Sequence, residues 1–564
     1  MDWREFRKGL LGGLAFGIGL VLAFPPVGFW PATILMPLAI VLLVGRGIDR
    51  VGSASLGVVV GTLPAWAMQH AWVVNVSELG FPPLVLYSAS FSGATTWLLA
   101  RLIRRMPRLG LGASCGLVWC LVETMRGEIL MGGYPWHLVA HPLIDVAALA
   151  SPGGVIGAYG VSGLVAVLAG AIGDAVLKRR TRAASIAIGA TSLAWVGLSV
   201  LPAPSPTETI RVAVIQTNSR QDNRTPTTPW EMVELMRTLM QQTREAAAEN
   251  PAFIVWPESM MPGRSMQAST IQAERDFGVY YKVIPPAAIG EPFALSAWEF
   301  ADATASLQAE LGVPLLVGSE RYTNLRIEDS PESGIAYDAD ETFNSVFLVV
   351  GGEVAGVYDK MVLTPFGEVM PGIRYWPWLQ ARVRALGAYG MPFNLSAGKE
   401  RTVLVAPRPE GGSLRLVAPI CFEATIPNAC RRLVYESGHR RADVIVNGTN
   451  DGWFNSFAMA RGQHLLGARW RSLELATPMA RAANTGTSAL IDHRGRLVAK
   501  GVNNSTKTHN IDGVLSGELP IVEGVSVYAR GGWVAPWAFG AACLMLMYAP
   551  AKLGRGSKSE AAPE

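Results

Sequence analysis

From Gly9 to Gly45 the chain carries no Asp, Glu, Lys, Arg or His. Wound as one helix this run would be about 55 Å long, against about 30 Å for the hydrocarbon core of a bilayer, so it must break and turn back. Pro25-Pro26, followed by Val27-Gly28-Phe29-Trp30, supplies the break. Proline lacks a backbone donor and restricts its neighbour, and the aromatic pair suits the water–lipid interface. Two membrane-crossing helices are expected rather than a cleaved leader, because no small-residue cleavage site followed by soluble sequence ends the run. Further apolar stretches at about 54–74, 81–103, 110–126, 155–177, 184–201 and 532–550 bring the expected spans to eight. Composition agrees: half the residues are hydrophobic and 16% are charged, against about 25% charged in an average soluble domain.

The basic residues orient these spans. Arg4, Arg7 and Lys8 precede the first, Arg46 and Arg50 follow the second, and Arg101, Arg104, Arg105 and Arg108 follow the fourth. Lys178, Arg179, Arg180 and Arg182 follow the sixth, and Lys552, Arg555 and Lys558 follow the last. The intervening loops at 27–30, 75–80 and 127–154 have neither Lys nor Arg. By the positive-inside rule both termini are cytoplasmic and the chain after about 202 lies outside. Topology thus accounts for the basic clusters, and with a net charge of +4 no nucleic acid partner is expected. Glu123 and Arg126 in the fifth span are not explained this way; either an ion pair or a functional pair fits them.

After the stiff Pro202–Thr207 linker the texture changes. Arg211–Gln216, Phe253–Trp256, Pro314–Gly318, Ser345–Val350, Arg415–Ile420 and Val444–Asn447 read as short buried strands, and Thr228-Pro-Trp-Glu231 as a capping box opening a helix. The expected organisation is a membrane domain of seven helices over 1–202, an α/β domain over 209–520, an eighth helix over 531–551 and a cytoplasmic tail over 552–564. Residues 263–312 form a long Pro-containing stretch with Met266, Phe277, Val279, Tyr280, Tyr281 and Phe293 and few charges. A mobile arm over the active site is expected there in part.

Three polar residues lie at strand ends or just past a hairpin, where open α/β sheets build their sites. They are Glu258 in Phe253-Ile-Val-Trp-Pro-Glu258, Lys360 in Tyr358-Asp-Lys360 eight residues before Glu368, and Cys421 in Leu416-Val-Ala-Pro-Ile-Cys421-Phe422-Glu423. Taken together they resemble the Glu–Lys–Cys triad of the nitrilase (carbon–nitrogen hydrolase) superfamily. The eight spans, with the α/β domain placed before the last, resemble the apolipoprotein N-acyltransferase family within it. Leu22–Pro31, Gly133-Tyr-Pro-Trp136, Gly157–Ser162, Pro365-Phe-Gly-Glu368, Asn450-Asp-Gly-Trp-Phe454 and Arg481–Gly486 carry the same resemblance. Met361-Val362 after the lysine and Phe422 after the cysteine depart from the family pattern.

The resemblance implies a multi-span helical membrane domain joined to an αββα sandwich outside it, in a bacterial cytoplasmic (inner) membrane with the catalytic domain on the periplasmic side. It implies that Cys421 attacks a phospholipid ester with Glu258 as base, since a thiol of pKa about 8.5 is only a few per cent thiolate at neutral pH. Lys360 and the backbone N–H after Cys421 would then stabilise the oxyanion. The thioester passes to the α-amine of the N-terminal diacylglyceryl-cysteine of an apolipoprotein. Glu368 and Glu423 would support the site, beside Phe422, although exposed carboxylates would need no explanation. Trp230, Trp453, Phe454 and Trp136 are candidates for contacting acyl chains. No metal and no cofactor is implied. Rival readings are a membrane-anchored amidase that uses water as acceptor and a non-catalytic envelope protein that kept the fold. Of the five cysteines, Cys115, Cys120 and Cys543 fall within spans and Cys430 lacks a strand-end setting; a Cys421–Cys430 disulfide is conceivable in an oxidising compartment. His137 and His141 are expected to be hydrogen-bonded interface residues.

Overall fold

The computed structural model describes residues 1–220, 227–330, 334–365, 367–369, 376, 378, 381–382, 395–454, 457–503 and 507–548. The tail 552–564 and Phe366 lie outside them. The uncharged run breaks where the prolines are: one helix spans Trp3–Ala23 and the next, entered by a turn of 3-10 helix at Trp30–Ile34, spans Leu35–Gly45. Helices at Val51–Gln69, Phe81–Arg105, Gly110–Glu128, Gly153–Val176 and Thr181–Ser199 complete the N-terminal bundle, and Val534–Tyr548 returns to it from the far end of the chain. By length and composition, Trp3–Ala23, Val51–Gln69, Gly153–Val176 and Tyr528–Tyr548 are able to cross a membrane, and Trp30–Gly45 is a shorter apolar helix.

The extramembrane part is two six-stranded mixed sheets. The first is built from β1 (Pro206–Gln216), β2 (Ile254–Val255), β3 (Leu315–Thr323), β4 (Glu341–Val350), β5 (Glu353–Asp359) and β12 (Gly513–Val522), ordered β12-β1-β2-β3-β4-β5. The second runs β6 (Leu404–Pro407), β7 (Ser413–Val417), β8 (Val444–Thr449), β9 (Met479–Ala483), β10 (Ala489–Ile491) and β11 (Leu497–Lys500), in that order. In each sheet the three parallel strands are followed by antiparallel neighbours: β1, β2 and β3 in the first, β7, β8 and β9 in the second. Side chains alternate along a strand, and β1 uses both faces. Val212 and Val214 join Leu348, Leu416 and Ile445 in the core between the sheets, while Ala213 and Ile215 join Met236, Leu239, Phe300 and Leu307 under the outer helices Pro229–Ala247 and Glu299–Leu311. The first of these helices opens with the expected capping box at Thr228 and Glu231.

The stretch 263–312 is largely regular. It forms a helix at Ala268–Phe277, an antiparallel hairpin of Tyr280–Val283 with Phe293–Ser296, and the helix Glu299–Leu311. Its apolar residues divide accordingly: Met266, Val279 and Phe300 are buried, whereas Tyr280, Ile284, Ile289 and Phe293 are exposed on the hairpin.

The helix Ala458–Leu475 joins the two halves. Ala468 and Leu475 enter the core between the sheets, while Leu466, Trp470 and Leu473 enter that of the N-terminal bundle. Its polar groups do the same: Trp470 Nε1 donates to the His141 carbonyl (3.1 Å), Gln463 meets His141 Nδ1 (2.8 Å), and Glu474 accepts from the Ala158 N–H (2.8 Å). That N–H is available because the helix Gly153–Val176 is broken at Gly157, where φ is +70°. A side chain at 157 would meet the Tyr528 ring at 2.6 Å, so both the backbone and the space require glycine. His141 is therefore bonded as expected, but neither ring nitrogen of His137 has a partner among the described residues.

Candidate active site

Each expected triad member leaves a strand and enters the same space between the sheets' ends. Glu258 lies three residues beyond β2, Lys360 directly follows β5, and Cys421 lies four residues beyond β7. Two of these turns use the left-handed backbone region, at Ser259 (φ +53°) and at Cys421 itself (φ +51°). For a residue with a Cβ this costs about 1–3 kcal/mol and persists only where the surroundings fix it. The β3 strand passes so close beneath Glu258 that a Cβ at Gly318 would lie 2.9 Å from the Glu258 Cα.

Glu258 and Lys360 are both buried. Glu258 Oε1 accepts from Asn344 Nδ2 (2.8 Å) and Lys360 Nζ (3.4 Å), and Oε2 accepts from the Asn450 N–H (2.8 Å). Lys360 Nζ also donates to Glu368 (2.9 Å), which receives Asn344 Nδ2 (3.0 Å) and the Thr364 N–H (2.8 Å). Burial would push the Lys360 ammonium down, but Glu368 and Glu258 hold it well above its ordinary value. Glu368 is correspondingly lowered: burial works against it, and Lys360 and its hydrogen bonds prevail. One cation thus lies between two carboxylates, an arrangement that favours the charged forms of Lys360 and Glu368.

Glu423 is fully buried, not a surface carboxylate. Oε1 accepts from the Met361 and Val362 N–H groups (3.0 Å each) and Oε2 from the Ile420 N–H (3.0 Å). It therefore ties the loop that carries Lys360 to the turn that carries Cys421. Burial lifts its carboxyl to about 7, against the pull of those N–H donors and of Lys360. Cys421 is half-buried, and all five cysteines are free, Cys430 lying instead in the helix Pro427–Val434. Burial, and then the Glu258 charge, push the Cys421 thiol well above its ordinary value, with Lys360 pulling the other way. A thiol held this way stays protonated until a base removes its proton.

Phe422 faces the N-terminal bundle. It belongs to an apolar cluster with Trp136, Phe454, Ile426 and Ala460, against which Trp453, Tyr134 and Trp72 pack. The Tyr134 and Phe422 rings stack at 6.4 Å, and Trp72 meets Phe454 edge-on at 4.8 Å. Three of the four aromatic candidates thus come together beside the cysteine. Trp230 does not join them; it lines a separate cavity of about 260 Å3 with Arg220, Glu231 and Glu234, its ring 5.9 Å from the Arg237 guanidinium.

Several site residues were not anticipated from sequence: Asn344, which bridges the two carboxylates, Thr449, and the Asp451–His464–Arg481 cluster behind it. Asn344 is a polar residue at the edge of an apolar strand run, a faint signal; Asp451 and Arg481 lie within the Asn450–Phe454 and Arg481–Gly486 motifs, Thr449 directly precedes the first, and His464 carries no such signal.

Residues 16–171 match the apolipoprotein N-acyltransferase N-terminal domain, and residues 211–520, more than half of the chain, match the carbon–nitrogen hydrolase family. The chain belongs to the carbon–nitrogen hydrolase family. Its similarity to apolipoprotein N-acyltransferases runs almost end to end. The enzyme of Rhodopseudomonas palustris is 28% identical over 96% of this chain and 98% of its own length, and that of Geobacter metallireducens is 28% identical over 95% and 96%. This carbon–nitrogen hydrolase is accordingly a multi-span membrane protein, with an apolar helical domain ahead of its α/β domain.

Proposed function

We propose that this carbon–nitrogen hydrolase is an N-acyltransferase acting on apolipoproteins, with Cys421 as nucleophile, Glu258 as general base and Lys360 in the oxyanion site. Glu258 takes the Cys421 proton and the thiolate attacks the ester carbonyl of a phospholipid. Lys360 and the Phe422 N–H stabilise the resulting oxyanion, a kind of contribution worth about 3–4 kcal/mol per donor in other enzymes. The ester C–O bond breaks, Glu258 returns its proton to the departing alkoxide, and a thioester remains. The α-amine of a diacylglyceryl-cysteine then attacks; Glu258 takes its proton, the amide forms, and the proton returns to the Cys421 thiolate as it leaves.

The observation that carries this reading is the half-buried cysteine beside a buried Glu–Lys–Glu network, with the very next side chain stacked on the N-terminal bundle. A soluble amidase has no use for that contact, whereas both substrates of the transfer are held in a bilayer. The same reading takes 1–202 as seven spans, 209–520 as the catalytic domain on the periplasmic side of a bacterial inner membrane, 531–551 as the eighth span, and 552–564 as cytoplasmic. Glu368, Glu423 and Phe422 support the triad, Trp136, Trp453 and Phe454 contact lipid chains beside the cysteine, and Trp230 contacts them only from its own, separate cavity.

The test is to incubate the purified full-length protein with phospholipid vesicles and a diacylglyceryl lipopeptide and to weigh the products. The peptide should gain one acyl chain on its amine. Release of free fatty acid with unmodified peptide would replace the transferase by a hydrolase. With phospholipid alone, the wild type should carry an acyl adduct that Cys421→Ala lacks, and an adduct surviving on another residue would overturn the choice of nucleophile.

A further inference from the structure

The sulfur of Cys421 has one side-chain hydrogen-bond partner among the described residues, and it is not a member of the triad. Thr449, at the end of β8 and fully buried, places its Oγ1 3.3 Å from Cys421 Sγ and 3.0 Å from Asp451 Oδ1. Asp451 is in turn gripped by Arg481 (3.0 Å) and by His464 Nδ1 (2.9 Å), all of them buried. Arg481 also donates to Asn447 Oδ1 (2.5 Å), and Asn447 Nδ2 donates to the Pro419 carbonyl (2.8 Å), two residues before the nucleophile. One guanidinium therefore fixes both the turn that bears the sulfur and the carboxylate behind the hydroxyl that touches it.

The direction of each bond follows from the chemistry of the groups. Burial would raise the Asp451 carboxyl, but Arg481 and His464 hold it well below the usual carboxylate range, so it only accepts. The single Thr449 proton then points to Asp451, and an oxygen lone pair faces the sulfur and receives the Cys421 S–H. When the thiol is deprotonated, the Thr449 hydroxyl can rotate and donate to the thiolate. Asp451 is not left unpaired by that rotation, because Arg481 and His464 remain on it.

We propose that Thr449 is a positioning residue with two settings, accepting from the Cys421 thiol at rest and donating to its thiolate whenever one forms. This rests on the reading of Cys421 as the nucleophile. The thiolate appears twice in the cycle, as attacking group when the thioester is made and as leaving group when the amine displaces it. Thr449 thus assists both halves of the reaction while touching neither lipid. It also separates the roles of the two acidic groups near the sulfur: Glu258 moves the proton, and Asp451 sets the hydroxyl that holds the sulfur. His464 holds Asp451 through its Nδ1 (2.9 Å), and its ring lies against Trp136 and Phe454 at 5.8 Å each.

The experiment compares Thr449→Val, which keeps the shape and loses the oxygen, with Thr449→Ser, which keeps the oxygen. Two rates are read on the full-length protein in detergent. One is alkylation of Cys421 by iodoacetamide across a pH series, localised by peptide mass. The other is formation of the acyl adduct from phospholipid. The charged groups that face the sulfur, Glu258, Lys360 and Asp451, and Glu423 in its own turn, are unchanged in every variant.

A hydrogen bond to a charged group sets the expected size of the effect. Thr449→Val should slow both alkylation at a fixed pH and acylation by about 10- to 100-fold, shift the alkylation profile to higher pH and leave KM for phospholipid unchanged. Thr449→Ser should behave as the wild type. Equal rates for the two variants, or a raised KM with unchanged kcat, would overturn the proposal. Should Thr449→Val fail to fold, Thr449→Ala against Thr449→Ser makes the same comparison across one oxygen atom. Absence of any acyl adduct on Cys421 in the wild type would refute the nucleophile instead, and the alkylation profile would still report on Thr449.

Discussion

Glu258 receives three hydrogen bonds from three different segments, through Asn344, Lys360 and the Asn450 backbone. A carboxylate so surrounded has a fixed orientation, and its replacement by an amide of the same size removes the base while Lys360 keeps Glu368 as its partner. Glu258→Gln should therefore lower acylation by about 10²–10⁴-fold, the range for loss of a positioned general base, with a melting temperature close to that of the parent. Thermal unfolding and single-turnover acylation measured on the same preparation check this. An unstable variant with normal activity per folded molecule would contradict the role. At this scale the three candidates were legible because each lies just past a strand and because their order resembles that of the nitrilase triad. The roles of Thr449, Asp451, His464 and Arg481 were not, because they depend on contacts between distant positions: Thr449 is 28 residues from Cys421, and Asp451 is 13 from His464 and 30 from Arg481. Single polar residues inside buried strands leave no periodic trace. Glu423 was legible as a carboxylate near the cysteine, but its burial and its hold on the 360–362 loop depend on the second sheet.

Among the elements, the hairpin Tyr280–Val283/Phe293–Ser296 stands apart from the sandwich as a separate two-stranded sheet. Its exposed Ile284, Ile289 and Phe293 fill no core in the structure, and an arm that meets the acyl chain is the role to be tested. Replacing Ile284–Pro292 by Asn-Gly would close the same Val283–Phe293 pair with a tight two-residue turn. Transfer to lipopeptide is expected to slow several-fold more than acylation of Cys421 by phospholipid, as rapid-quench measurement of the two half-reactions would reveal. Equal losses in both, or a lost fold, would make the hairpin a packing element. The long apolar-rich stretch was visible in sequence, yet its division into two helices and a hairpin was not. Its helices are short and are held by tertiary contacts such as Phe300 under the first sheet, and local pattern alone does not specify such segments.

For the molecule as a whole, the alternation of basic and uncharged loops makes a prediction independent of catalysis. Reporter fusions after Arg105 and after Arg182 should read cytoplasm, and a fusion at Thr207 should read the opposite side. A cytoplasmic signal at 207 would put the α/β domain at the wrong leaflet for lipoprotein maturation, and the proposed acceptor would have to be abandoned. Two-part architecture was legible from hydropathy and strand texture, since both are local properties summed over many residues. The way the parts meet was not, because it depends on one helix having two apolar sides.

That helix, Ala458–Leu475, sets a practical boundary on how the protein can be handled. Severing the chain near residue 205 to obtain the α/β half as a water-soluble reagent would strip the cover from Leu466, Trp470 and Leu473 and leave Glu474 without the Ala158 N–H. Such a fragment would have to hide a freshly bared apolar stripe and a partly unsatisfied buried carboxylate, and it would do so by clumping. Screening libraries and crystallisation trials are thus committed to the intact polypeptide in detergent or nanodiscs.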